Sequence, residues 1–300
     1  MPLEDILFGG LNEQGFLFQE KCEEVIQQSR STRWIVHTVE HPVSLKEKDT
    51  RIDIIIRDET LHESTMYGVV ECKKVNPQYN CWLFGKPLYD CPVPANAQII
   101  KLSRSRRHVR GTAQPNIELI PIRARFNVET PYICNWWLEI NIHESRPKKQ
   151  KISNTETLEQ AFIQVCRGVG GLALEQQRDR MRTLADPTAT GVIDESEEVF
   201  LVPIIITTAC LYTSNYDLSN VDIATGAISS TDVQFTGMPP SPPVKWVMID
   251  YGATDSVTPD QLYQHFAGMQ PIDLEPYNKR SIFIVNSAYI SDFLENLHFS

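Results

Sequence analysis

No run of 18 or more apolar residues occurs anywhere in the chain, so no ordinary transmembrane helix is expected. A basic segment leading into an apolar one is missing as well: the chain opens Met1-Pro2-Leu3-Glu4-Asp5, and the expectation is a cytoplasmic protein without a secretory leader. Paired cysteines are absent. The seven cysteines are dispersed with no C-x-x-C spacing, which argues against zinc ribbons and dithiol redox sites and suggests small core residues in a reducing compartment. Cys81 and Cys91 with His108 match no zinc spacing. There is no G-x-S-x-G elbow to anchor a hydrolase triad. Gly168-Val169-Gly170-Gly171 is followed by no Lys-Ser/Thr and so forms neither a Walker loop nor a dinucleotide turn. Positive charge is also short, with 28 Lys and Arg against 38 Asp and Glu and a net charge of −10. Long-range repulsion from phosphates argues against a protein that coats nucleic acid with its whole surface.

What is present suits a well-packed core: 300 residues, 42% of them hydrophobic and 22% charged, a length that fits one large domain or two small ones. Leu17, Phe18, Cys22, Val25 and Ile26 recur at helical spacing over 13–28. Strands are expected at 34–39, 51–57 and 66–73, with a polar turn over 44–50. Residues 75–151 then interrupt the pattern as an insertion, with a strand near Trp136 and Trp137. Helical periodicity returns over 155–181, where Gly168, Gly170 and Gly171 are expected to bend or pause the helix. The apolar run 199–212 reads as one central strand with Pro203 near its start. A small hairpin is expected around 221–228, and 213–243 as a whole reads as a peripheral hairpin and proline-rich linker. Strands at 244–251 and 281–286 and a helix at 290–297 close the chain. The expected architecture is α/β, a mixed central sheet flanked by helices in one domain spanning 1–300.

Two apolar strands are interrupted by charge: Arg51-Ile52-Asp53-Ile54-Ile55-Ile56 and Tyr67-Gly68-Val69-Val70-Glu71-Cys72-Lys73. An unpaired charge in a buried strand costs several kcal/mol, so such groups persist when paired or coordinated. Alternation puts Glu71 and Lys73 on one face and Cys72 on the other. If the strands pair antiparallel, Asp53 can join them. Two carboxylates and a backbone carbonyl, that of Cys72, form a hard oxygen set suited to Mg²⁺ or Mn²⁺. A strand-end ion pair, Glu71 or Asp53 with Lys73 or Arg51, is the competing explanation of the same residues. Five formal cations, Lys101, Arg104, Arg106, Arg107 and Arg110, fall within ten residues; a phosphate-contacting surface and a solvated loop both fit them. Trp136 and Trp137 either stack on bases or pack a sheet.

At Asp53 and Glu71-Cys72-Lys73 the sequence resembles the PD-(D/E)xK superfamily of restriction-endonuclease-like nucleases, whose pattern is an acid on one strand, Glu-x-Lys on the next, and a further acid on an N-terminal helix. Glu20 best matches the helix acid, with Glu24 as the substitute, and a later helix with Gln160 or Gln164 completes the core. Ile52 stands where the pattern has proline, and the segment after Lys73 is longer than usual. The resemblance implies a restriction-endonuclease-like fold and Mg²⁺- or Mn²⁺-dependent hydrolysis of phosphodiester bonds, most simply of DNA. Asp53 and Glu71 would be metal ligands, Lys73 would orient water, and Glu20 would be an outer ligand. It also implies a possible homodimer and a role in restriction or defence. The alternative is a catalytically silent member of the same fold serving as a nucleic-acid- or protein-binding regulatory module.

Overall fold

A computed structural model describes residues 3–13, 15–29, 33–58, 64–76, 80–85, 93–109, 112–130, 133–140, 153–185, 198–252, 255–264 and 279–300. Helices α1 (Leu3–Glu13) and α2 (Phe16–Gln28) lead into strands β1 (Trp34–Leu45), β2 (Lys48–Asp58) and β3 (Ser64–Lys73). Next come β4 (Cys81–Phe84), β5 (Val93–Val109), β6 (Thr112–Thr130), β7 (Ile133–Cys134), β8 (Trp137–Ile140) and β9 (Ser153–Asn154). Helix α3 (Glu156–Ala185) is followed by β10 (Glu198–Thr207), β11 (Cys210–Tyr216), β12 (Val233–Thr236), β13 (Trp246–Gly252), α4 (Asp260–Gln264), β14 (Lys279–Asn286) and α5 (Ile290–Asn296). Among the described residues no helix is long and apolar enough to cross a membrane.

The result is a mixed α/β architecture with a large mixed sheet flanked by helices. The nine-stranded sheet runs β1-β2-β3-β10-β14-β13-β7, with β5 on β10 and β6 on β5. Strands β1, β2 and β3 are antiparallel neighbours, while β10 is parallel to both β3 and β14. One core lies between this sheet and α3, where Val69, Leu201 and Ile205 meet Phe162, Val165 and Val169. The other lies against α2 and α5, where Ile54, Ile56 and Ile204 meet Cys22, Ile26 and Phe293. A smaller sheet, β12-β11-β4-β8-β9, packs beside it, so the described strands of the segment 75–151 divide between the two sheets.

Several elements differ from expectation for identifiable reasons. The run 199–212 is two strands: β10 stops at Thr207, whose hydroxyl accepts from the Ala209 N–H, and β11 continues in the other sheet beside β4. Pro203 sits in mid-strand. It falls where the neighbour of β10 changes from β5, paired at Val199–Leu201, to β14, paired from Ile204, so its missing N–H coincides with a break in the ladder. The hairpin expected at 221–228 is a turn held by the Asp222 carboxylate, which accepts from the N–H groups of Ala224 and Thr225; the ladder lies instead between β11 and β12.

Helix α3 runs without a break through its glycines. A Cβ at Gly171 would lie 2.7 Å from Val43 Cβ, and one at Gly170 2.8 Å from Leu45 Cδ2. The glycines weaken the helix locally and in exchange let it press onto β1 and β2. Its first turn is fixed from the smaller sheet, where buried Glu139 accepts from the Leu158 N–H at 2.8 Å.

Candidate metal and phosphodiester site

The tight turn at Lys46-Glu47, with φ of 51° and 61°, closes the β1–β2 hairpin and sets its register. Val39 pairs Ile54 and His41 pairs Ile52, so the rung between them sets Glu40 opposite Asp53. Glu40 has φ +50°, a left-handed conformation that costs a non-glycine residue about 1–2 kcal/mol. On the other side of β2, the ladder with β3 covers Ile54–Arg57 and Val70–Tyr67. One residue beyond its end, Asp53 and Glu71 come to the same level. There the Asp53 side chain replaces the backbone partner: its Oδ2 accepts from the Cys72 N–H at 2.7 Å. In an extended strand the N–H and C=O of one residue share an edge, so the Cys72 carbonyl lies on this side too.

The three residues expected at the centre are therefore brought together. Lys73 Nζ is 3.8 Å from Glu71 Oε1 and donates to Gln164 Oε1 of α3 at 3.3 Å. Cys72 faces the other way, into the core against α2 with Cys22. Burial is the main reason the Glu71 carboxyl is pushed up to about 8; the Asp53 charge raises it further, against the pull of Lys73. Burial likewise pushes Asp53 up to about 6, opposed by the Cys72 N–H and Lys73 and assisted by the charge of Glu40. Burial and the neighbouring acid charges raise both carboxyl groups, and Lys73 offsets them only in part.

Glu20 is exposed on α2. The adjacent Gln19 reaches inward, donating to Glu40 Oε1 at 2.6 Å and to the Asp53 carbonyl at 3.2 Å. Arg51 Nη1 holds the other Glu40 oxygen at 3.0 Å. Sequence reasoning passed over Glu40 and Gln19. Counting outward from a two-residue turn at Lys46-Glu47 would have placed Glu40 across from Asp53.

The basic run lies away from these carboxylates. It lies on β5, antiparallel to β10 with Leu102 opposite Val199, whereas Glu71 is opposite Ile205. Lys101 forms an ion pair with Glu198 and sits 5.8 Å from the centre of the Phe200 ring. Arg104, Arg106 and Arg107 continue away from the carboxylates on β5, and Arg110 lies outside the described residues. The tryptophan pair packs: Trp136 covers Gly85, and Trp137 meets Phe162 edge-on at 4.7 Å.

Among the described residues no group of three or more His, Cys, Asp or Glu side chains is disposed to hold a metal ion. Two carboxylates and a carbonyl still fit Mg²⁺, which commonly retains several waters and takes only one or two protein carboxylates. Such a cation would displace protons from the Asp53–Glu71 pair and offset the negative charge that then develops. The chain matches no protein-family model, no curated protein and no solved structure.

Proposed function

We propose that this chain is a divalent-cation-dependent phosphodiesterase acting on DNA, with a restriction-endonuclease-like core. The observation that carries the reading is the convergence of Asp53, Glu71 and Lys73 at the point where the β2–β3 ladder ends, with both carboxyl groups pushed up by burial. When bound, Mg²⁺ or Mn²⁺ would neutralise charge developing on the phosphate oxygens. Asp53 and Glu71 would hold it together with the Cys72 carbonyl. The Cys72 N–H fixes the Asp53 carboxylate, and Gln164 steadies Lys73 so that its ammonium can orient the attacking water. In this reading Glu40, steadied by Gln19 and Arg51, takes the outer acidic role that the resemblance gives to Glu20.

A second reading, a catalytically silent module of the same fold, is favoured by the lack of a third metal-ligating side chain among the described residues. Nicking of supercoiled plasmid in Mg²⁺ or Mn²⁺ separates the two. Cutting by the wild-type protein that disappears in both Lys73→Ala and Glu71→Ala supports the enzyme. Equal traces of cutting in all three proteins point to contamination and favour the module.

A further inference from the structure

We infer that Cys81 and Cys210 form a redox-active dithiol on the outer face of the smaller sheet, a site for thiol–disulfide exchange with an oxidised low-molecular-weight thiol of the glutathione class. The two residues lie far apart in the chain, so no C-x-x-C spacing announces them. The fold makes them neighbours. They are paired on the first rung of the parallel ladder between β4 and β11, where the Cys210 N–H donates to the Asn80 carbonyl at 2.7 Å. Strands so paired lie about 4.8 Å apart, inside the Cα separation of about 4.4–6.8 Å that a disulfide spans. Both residues are free thiols.

Alternation sets their side chains on one side of the sheet. Trp82, Phe84 and Leu211, at the intervening positions, belong to the same core as Phe162, so Cys81, Cys210 and Tyr212 take the opposite face. Cys210 is exposed there and Cys81 is buried beside it. Cys81 Sγ donates to Asn80 Oδ1 at 3.7 Å. The Tyr212 hydroxyl lies close enough to interact with both sulfurs; burial first, and then the sulfurs, push it up to about 12, so it keeps its proton at neutral pH. Burial pushes the Cys81 thiol up as well, and Tyr212 pulls against that shift.

The other described cysteines are placed differently. Cys22, Cys72, Cys134 and Cys166 are all buried, and burial pushes Cys134 and Cys166 up to about 12. Thiols held protonated in apolar surroundings are inert. An accessible cysteine poised next to a second one is the arrangement that reacts and is then resolved. Among the described cysteines, Cys210 with Cys81 has that arrangement.

The exchange proceeds in two displacements. Cys210, its proton lost to solvent, attacks one sulfur of the oxidised thiol, forming a mixed disulfide and expelling one thiolate that is protonated in turn. Cys81 then gives up its proton, attacks Cys210 Sγ and expels the second thiolate. The protein loses two electrons to form the Cys81–Cys210 bond, and the reagent gains them as two reduced thiols. Tyr212, as an O–H donor, stabilises the thiolate on Cys81 before it attacks. The site lies on the smaller sheet and does not rest on the phosphodiesterase reading.

The test is to equilibrate the full chain with mixtures of reduced and oxidised glutathione, quench in acid, alkylate the remaining thiols and map the peptides by mass spectrometry. Wild-type protein should lose the Cys81 and Cys210 thiols together and yield a peptide pair joined through them. Cys81→Ser should stop at the mixed disulfide, with glutathione held on Cys210. Tyr212→Phe should slow the second displacement about tenfold, on the scale of a hydrogen bond to a charged group, and move its pH profile upward; an unshifted profile would strike Tyr212 from the step. The wild-type measurement depends on no variant folding. A mixed disulfide that persists on wild-type Cys210, a bond joining Cys210 to a different cysteine, or retention of both thiols in fully oxidised glutathione would each overturn the dithiol.

Discussion

The two ends of the nine-stranded sheet treat charge in opposite ways. At the end marked by Glu71 and Lys73, buried Glu71 and half-buried Asp53 and Lys73 gather where the β2–β3 ladder stops, and α3 is pressed close above them through Gly168, which faces Ile52 and Val69. At the end marked by Leu102, cations ride on a regular two-stranded ladder beyond the last β10 pairing. The first arrangement holds charges where they are costly, which is useful for binding a cation and orienting a reaction. The second sets its charged residues on a ladder outside the β10 pairing, where they take no part in the ladder that joins β10 to the sheet. Substitutions at the two ends should therefore affect different measurements.

The largest expected effect is on chemistry. Lys73→Ala should lower the rate of cation-dependent phosphodiester cleavage by about 10³-fold, the scale typical for loss of a group acting in the transition state, while duplex affinity in EDTA stays close to wild type. A drop in affinity that accounts for the whole loss would instead make Lys73 a binding residue.

Next in size is the close packing of α3. Gly171→Ala places a methyl group 2.7 Å from Val43 Cβ and should cost about 1–3 kcal/mol in urea denaturation. Gly10→Ala on α1 meets nothing within 4 Å and should be neutral or slightly stabilising. Equal effects at the two positions would mean that α3 is not held against β1 as described.

Protonation of the carboxyl pair gives an effect of similar or smaller size. Both groups bind protons more tightly folded than unfolded, so their contribution to stability is fully present below about pH 4 and is lost as pH rises through about 6 for Asp53 and about 8 for Glu71. Glu71→Gln should accordingly stabilise the cation-free protein by roughly 1–3 kcal/mol at pH 8 and change little at pH 4. Thermal melts at the two pH values check this, and destabilisation at pH 8 would contradict it.

Smaller again is Gln164→Ala, which removes one hydrogen bond to Lys73 and should lower cleavage about tenfold, on the scale of a hydrogen bond to a charged group. Smallest is Arg104→Gln on the β5–β6 ladder, expected to shift folding stability by less than about 0.5 kcal/mol. A large loss there would mean that the distal part of that ladder supports the fold.

Most of the sheet was legible in the sequence because apolar alternation and β-branched runs report burial directly, as in Ile54-Ile55-Ile56 and Ile204-Ile205-Ile206. The association of Asp53, Glu71 and Lys73 was legible for the same reason, since charge inside such runs needs a partner. Three features were not. Glu40 enters through the hairpin register set at Lys46-Glu47, which leaves no mark in composition. The division of 199–212 between two sheets depends on which neighbours are available at Thr207 and Cys210, a tertiary choice. The glycines of α3 follow local helix propensity in suggesting a break, whereas contact with Val43 and Leu45 makes them the residues that allow close packing.

Cation binding to the carboxyl pair is tested most directly by calorimetric titration of the full chain with Mn²⁺ at pH 7, in buffers of different ionisation enthalpy. A single ion should bind with release of a proton, and Asp53→Asn or Glu71→Gln should each abolish that binding without unfolding the protein. Absence of Mn²⁺ binding at millimolar concentration, or binding that survives both substitutions unchanged, would contradict the site.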